Sequence, residues 1–219
     1  MLTVALTGGI AAGKTVVAAA LARCGAHVDA ADAAARSLQS PGGPAYGPIA
    51  AHFGPGILAP DGTIDRRRLA AVVFSDARER AVLEAIVHPL VFAATRAEIA
   101  RLEAEGRVRV FVHEAALTIE AGHAAFYDRI VVAYCPPDVQ AARLAARDLA
   151  SAEDARLRLA AQLPAASRLA WADYVVDTSG SLADTIGRSE ALYAELLGDE
   201  RAKRNGTLSP GQAKSGRAK

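Results

Sequence analysis

The sequence predicts an α/β fold, with a mostly parallel five-stranded sheet between layers of helices. Three observations carry that expectation. Five short apolar runs of strand length recur along the chain, each followed by residues of helical spacing. The first run leads through a glycine-rich octet straight into a helix. The stretch from Pro44 to Gly106 has no strand period, so it reads as a helical insertion outside the sheet. A chain of 219 residues buries roughly 70–75% of its unfolded surface, enough for one core without disulfide staples.

The elements follow in order. Leu2–Thr7 is apolar and ends in Gly8-Gly9, and Lys14–Arg23 then has helical spacing closed by Cys24-Gly25. Ala26–Asp29 is the second strand, and a helix from Asp32 ends at the Ser40-Pro41-Gly42-Gly43 cluster. The insertion breaks at Phe53–Gly56, Asp61-Gly62 and His88-Pro89. Val108–Val112, Ile130–Tyr134 and Tyr174–Val176 return to strand composition. Between the last two strands lie arginine-rich helices at Pro136–Ala150 and Ala152–Leu163. Leu182–Leu197 forms the final amphipathic helix, and from about Gly198 the chain lacks an apolar face and reads as disordered.

A net charge of +1 gives no general attraction to nucleic acid or anionic membrane, so any anion site must be local. No apolar run reaches the length of a membrane span, and Met1 opens no secretory leader pattern, so the expected location is the cytoplasm. Cys24 and Cys135 read as small buried hydrophobes in a reducing compartment. Lysine occurs only at Lys14, Lys203, Lys214 and Lys219. A chain that otherwise uses arginine keeps one ammonium near its start, where a compact charge is needed.

That lysine lies in Gly8-Gly9-Ile10-Ala11-Ala12-Gly13-Lys14-Thr15, which fits G-x-x-x-x-G-K-[ST] between a strand and a helix. The glycines let backbone N–H groups turn inward toward phosphate oxygens, and the helix N-terminus adds partial positive charge. Gly8, Gly9, Ala11, Ala12, Gly13, Lys14, Thr15 and Val16 are therefore the expected ATP-phosphate contacts. Lys14 would reach the terminal phosphates, and the Thr15 hydroxyl would coordinate Mg²⁺.

A GTPase would need N-K-x-D, and the only asparagine is Asn205, so Asp177-Thr178-Ser179-Gly180 is read as a turn. His113-Glu114 lacks the second histidine of a zinc protease. A small-molecule kinase needs an acceptor-orienting group and cations over the transferring phosphoryl. Asp29 and Asp32 follow the second strand, at the sheet edge that faces the loop, and one of them can face an acceptor. Asp32 suits a helix N-cap nearly as well. Arg143, Arg147, Arg156, Arg158 and Arg168 suit a lid, with Arg143 and Arg147 one turn apart and Asp148 beside them.

Taken together, these residues resemble the dephospho-coenzyme A kinase family over nearly the whole folded chain. The likeness begins with Leu6–Thr15 and runs through Asp32, Arg36, Pro41-Gly42, Phe53-Gly54, Asp61-Gly62, Asp65-Arg66, Phe74 and His88-Pro89. It continues with Glu120, Gly122, Tyr127-Asp128, Gln140, Arg143, Arg147-Asp148, Ala161-Gln162, Arg168 and Ala172-Asp173.

The resemblance implies a P-loop NTPase three-layer α/β/α core in residues 1–31, 106–135 and 172–198. It further implies a coenzyme-A-binding insertion in 32–105 and a lid in 136–171, with 199–219 a disordered tail. The implied reaction is ATP-dependent phosphorylation of the ribose 3′-hydroxyl of dephospho-coenzyme A. The alternatives are another small-molecule or nucleotide kinase, or a non-catalytic ATP-binding protein. Asp32 matches the family's base, Arg36, Arg66 and His88 its substrate side, Arg143 and Arg147 its lid, and Ser179-Gly180 its adenine loop. The implied protein is a monomer or small homo-oligomer with no nucleic-acid or membrane partner. Two departures stand out: Ala30 replaces the first acid of D-x-D, and Ala116 replaces a proline in Glu114–Glu120.

Overall fold

The computed structural model describes residues 1–148 and 151–212. Five strands, β1 (Leu2–Thr7), β2 (His27–Ala30), β3 (Val110–Glu114), β4 (Arg129–Tyr134) and β5 (Tyr174–Asp177), form one sheet in the order β2-β3-β1-β4-β5. The β1–β3, β1–β4 and β4–β5 pairs are all parallel, with Val4 opposite Val112 and Arg129.

Alternation along β1 divides the core. Leu2, Val4 and Leu6 pack on one face with Val17 and Leu21 of α1 (Lys14–Arg23) and Leu192 and Leu196 of α9 (Leu182–Arg204). Ala5, Ile130 and Val132 face the other side, under Ile119, Ala124 and Tyr127 and against Leu169 of α8 (Ala165–Leu169). Burial on both faces explains why these strands read as continuous apolar runs.

Residues 30–101 form a second compact unit, and the first comprises 1–29 with the chain from 102 onward. The second unit holds α2 (Ala31–Leu38), α3 (Tyr46–Phe53), α4 (Arg66–Ser75) and most of α5 (Ala77–Glu105). Its own core is Ala45, Ile49, Ile57, Leu69, Val73 and Val87. The expected break at His88-Pro89 does not occur: α5 runs through Pro89 as one helix. Proline removes the bond to the carbonyl four residues earlier and its ring crowds that carbonyl, but Ala85 and Pro89 are both exposed, so the carbonyl can tilt outward and water can serve it.

The arginine-rich segment holds α6 (Pro137–Asp148), α7 (Ala152–Ala160) and α8. Residues 149–150 of the helix expected at Pro136–Ala150 lie outside the described residues. The final helix departs most from expectation. It continues past Leu197 to Arg204, and residues 205–212 then pack back on the sheet. Arg129, 8% exposed, donates to Asp199 at 2.6 Å and to the Ser209 carbonyl at 3.0 Å. Gln212 N donates to Asp173 at 2.7 Å. Charge pairs and hydrogen bonds, with Leu208 against the core, hold this segment rather than an apolar stripe, so hydrophobic periodicity could not reveal it. Residues 213–219 of the expected tail lie outside the described residues. Among the described residues, no helix is long and apolar enough to cross a membrane.

Candidate active site

The chain leaves β1 at the point where sheet order reverses, since β3 lies on one side of β1 and β4 on the other. In a parallel sheet such a switch point opens a crevice beyond the strand ends. The octet Gly8–Thr15 fills its mouth. Gly13 takes φ +81°, and a Cβ there would meet the Thr178 side chain at 3.2 Å, so both conformation and space require glycine. Ala11, at φ +58°, is the single non-glycine in the left-handed region among the described residues.

This strained loop is braced from below. Thr178, buried at the end of β5, donates its hydroxyl to the Ala12 carbonyl at 2.9 Å. Arg143 Nη2 donates to the Thr178 carbonyl at 2.7 Å, and its Nη1 reaches Cys135 Sγ at 3.6 Å. Burial pushes the Cys135 thiol up, against the pull of Thr178 and Arg143, so it stays a neutral packing group. From above, Gln162 accepts a hydrogen bond from Ile10 N at 2.9 Å.

What the loop leaves open is its chemical asset. Ala12 N and Val16 N are used within the loop, donating to the Gly9 and Gly13 carbonyls. Among the described residues, no hydrogen bond occupies the amides of Ala11, Gly13 or Thr15, beside the N-terminus of α1. Lys14 folds over the loop, its Nζ 2.9 Å from the Gly8 carbonyl and 3.0 Å from that of Gly9. Amides and an ammonium gathered at one place form an anion seat.

The Thr15 hydroxyl donates to Glu114 Oε1 at 3.0 Å, which puts two hard oxygen donors at the end of β3 beside the loop. Glu114 did not figure among the expected site residues; its position in the acid-led run after the third strand was the available signal. That run lacks its proline at Ala116, yet Thr7 Oγ1 bonds the Ala116 carbonyl at 3.1 Å and Ala115 N bonds the Leu6 carbonyl at 3.0 Å. Hydrogen bonds to β1 thus anchor the segment.

Asp29, the acid nearest the Ala30 departure, turns inward, and its carboxylate lies 2.9 Å from Nδ1 of buried His113. His113 in turn stacks on Tyr127, whose hydroxyl is driven far above its ordinary value by burial and by the Asp29 charge. Asp32 stands in the first turn of α2, exposed, where the N-cap is Ala30 and no side chain caps the helix. The N-cap alternative for Asp32 therefore falls, and its carboxylate makes no hydrogen bond among the described residues. Arg36 is also exposed and donates to the Asp32 carbonyl at 3.1 Å. Arg66 is exposed at the start of α4, and His88 is half-buried in α5.

Among the expected lid arginines, Arg143 is committed to Thr178, while Arg147 is exposed and paired with Asp148 at 2.7 Å. The Asp148 carboxyl is held below its usual range by Arg147 first, and by Arg158 as well. Ser179 and Gly180 follow Thr178 in the turn before α9. There Ser179 N donates to Asp177 at 2.8 Å, and Ser181 and Asp184 form a capping box.

A glycine loop with open amides at the switch point of a parallel sheet, closed by Lys-Thr at a helix start, defines a P-loop phosphotransferase. The family model described as dephospho-CoA kinase matches residues 2–184. The chain belongs to that family. It is 46% identical over 198 residues to the dephospho-CoA kinase of Anaeromyxobacter dehalogenans, covering 90% of this chain and 93% of the relative. It is 42% identical over 192 residues to that of Geobacter sulfurreducens, covering 88% and 97%. Among solved structures, TT1252 from Thermus thermophilus aligns with a TM-score of 0.75 at 30% identity, covering 89% of this chain and 97% of the other. The Campylobacter jejuni dephospho-CoA kinase shares the fold at a TM-score of 0.60 and 24% identity, covering 89% and 96%.

Proposed function

We propose that this chain transfers the terminal phosphoryl group of ATP to the ribose 3′-hydroxyl of dephospho-coenzyme A, giving coenzyme A and ADP. That is the last step of coenzyme A biosynthesis. The observation that carries the reading is the phosphate loop, with three amides open and Lys14 over it, in a chain matched to this family from residue 2 to 184.

In the proposed reaction the amides of Ala11, Gly13 and Thr15 hold the phosphate chain, and Lys14 moves from the loop carbonyls onto the terminal phosphates. The 3′-oxygen forms a bond to the γ-phosphorus as the bond to the bridging oxygen breaks, and ADP carries away that electron pair. Asp32 orients the hydroxyl and accepts its proton as the new bond forms. Exposed Arg36 and Arg66, with His88, serve the anionic substrate from the unit 30–101. The Thr15 hydroxyl with Glu114 beside it suits a magnesium ion, which in this chemistry neutralises phosphate charge. Ser179-Gly180 would flank the adenine, and the helices of 136–171 would close over the nucleotide and exclude water.

The test is ADP release with Mg·ATP, with and without dephospho-coenzyme A, and product mass measured. Turnover that depends on this acceptor, with at least about a hundredfold loss of kcat in Asp32→Asn, is the expected result. ATP binding without acceptor-dependent turnover would refute the substrate assignment, and near-full turnover by Asp32→Asn would refute the role of Asp32.

A further inference from the structure

Arg168 lies in the last turn of α8 with 5% of its surface exposed. A guanidinium carries five N–H donors, and among the described residues a single hydrogen bond serves them, from Nη2 to Glu120 Oε1 at 3.1 Å. Its Nε is the one buried side-chain nitrogen or oxygen without a partner among the described residues. Burying a cation so poorly satisfied opposes folding, and such groups in native proteins call for a particular explanation.

Its position supplies one. A Cβ built on Gly9 would lie 3.5 Å from Arg168 Nη1, so the guanidinium stands against the second residue of the phosphate loop. That same point is 3.3 Å from Gln162 Oε1, the group that holds Ile10 N. Arg168 and Gln162 both line a cleft of about 710 Å³ among residues of α6, α7 and α8. Arg143 and Arg147 differ sharply: the first is engaged under the loop by Thr178, and the second is exposed and neutralised by Asp148.

We propose that Arg168 is the arginine that contacts the transferring phosphoryl group, and that Glu120 is the positioning residue that holds its guanidinium. Arg143 then serves as a brace of the loop floor. The assignment rests on the phosphotransferase reading and deepens it. Arg168 makes and breaks no covalent bond; it neutralises charge on the γ-phosphoryl oxygens while the 3′-oxygen bond forms and the bond to ADP breaks. The bound nucleotide supplies a second anionic partner besides Glu120, and an incoming terminal phosphate takes over donors left idle beside Gly9.

The experiment uses the full chain with Arg168→Gln and Arg168→Lys, measured for acceptor-dependent turnover and for binding of β,γ-imido-ATP and ADP. For Arg168→Gln, kcat falls about a thousandfold, as for other phosphoryl-contacting arginines. Its affinity for the imido analogue falls about tenfold while that for ADP changes less than about threefold, because the contact is to the terminal phosphate. Lysine restores little, since an ammonium cannot keep both Glu120 and phosphate in the same geometry. Should Arg168→Gln fail to fold, Glu120→Gln/Arg168→Gln, which also removes the stranded carboxylate, replaces it. Wild-type-like turnover and binding, or equal loss of ADP and analogue affinity, overturns the proposal. If the wild-type protein shows no turnover with dephospho-coenzyme A, the substrate reading fails, and the analogue-against-ADP comparison still decides the role of Arg168.

Discussion

At the N-terminal end of the sheet, Arg129 grips Asp199 and the Ser209 carbonyl, Lys203 pairs with Asp128 at 2.6 Å, and Arg109 with Glu200 at 2.7 Å. Asp173 accepts from Ile130 N and Gln212 N. At the C-terminal end, among the described residues, no hydrogen bond occupies the amides of Ala11, Gly13 and Thr15, and Arg168 has one partner for five donors. The first arrangement is closed, because every charge named there has its counter-charge or a hydrogen bond within the chain. The second holds donors that the proposed reaction assigns to an incoming anion. A closed network contributes stability and order to the C-terminal segment, whereas an open one costs stability and contributes affinity.

Three perturbations separate the two ends, from the largest effect to the smallest. Lys14→Ala at the open end removes the mobile cation over the loop. Its kcat in the ADP-release assay should fall by about 10³ or more, with little change in denaturant midpoint. A variant that unfolds as readily as it loses activity would show that Lys14 is a brace after all. Asp199→Ala at the closed end leaves the Arg129 guanidinium buried without its carboxylate partner. Unfolding free energy should drop by roughly 3–5 kcal/mol while turnover per folded molecule stays near wild type. Lost turnover at full stability would instead couple the two ends.

The smallest effect is a pH dependence. Burial alone would raise the Asp128 carboxyl, but the Lys203 ammonium and hydrogen bonds from Thr3 outweigh it and hold the group at about 2, below its ordinary 3.8. A depressed folded value contributes stability above the unfolded value and loses it as pH falls toward the folded one. The contribution, about 2 kcal/mol, is therefore whole above roughly pH 5 and fades between pH 4 and 2. Asp128→Asn should flatten the acid limb of the stability curve in that window. An unchanged slope would mean other carboxylates govern the acid limb.

Much of the fold was legible because it depends on local signals. Leu2–Thr7 and Lys14–Arg23 come out with their expected bounds, since a buried parallel strand, glycines and a helix start each leave a pattern in consecutive residues. The third strand came out two residues late, at Val110–Glu114, because Arg107-Val108-Arg109 alternates like a strand before pairing begins. The expected His88-Pro89 break and the expectation of disorder over 198–212 failed for a shared reason. A proline inside a helix is judged by what surrounds its lost hydrogen bond, and a charged helix end by partners such as Arg109 and Arg129, some 70 to 90 residues away.

By itself, the sequence determined the α/β class, the glycine loop that carries Lys14 and Thr15 between strand and helix, and the family, all of which rest on short-range order and spacing. The tertiary structure alone decided which cations are spent and which are available. Arginines look alike along a chain, and of the arginines in the lid segment the sequence favoured Arg143 and Arg147, beside Asp148, over Arg168. Distance and burial tell them apart: Thr178 engages the first, Asp148 neutralises the second, and Arg168 is buried beside Gly9 with donors to spare. An ionic group's role depends on its nearest opposite charge and on solvent access, and folding settles both by bringing together residues far apart in sequence.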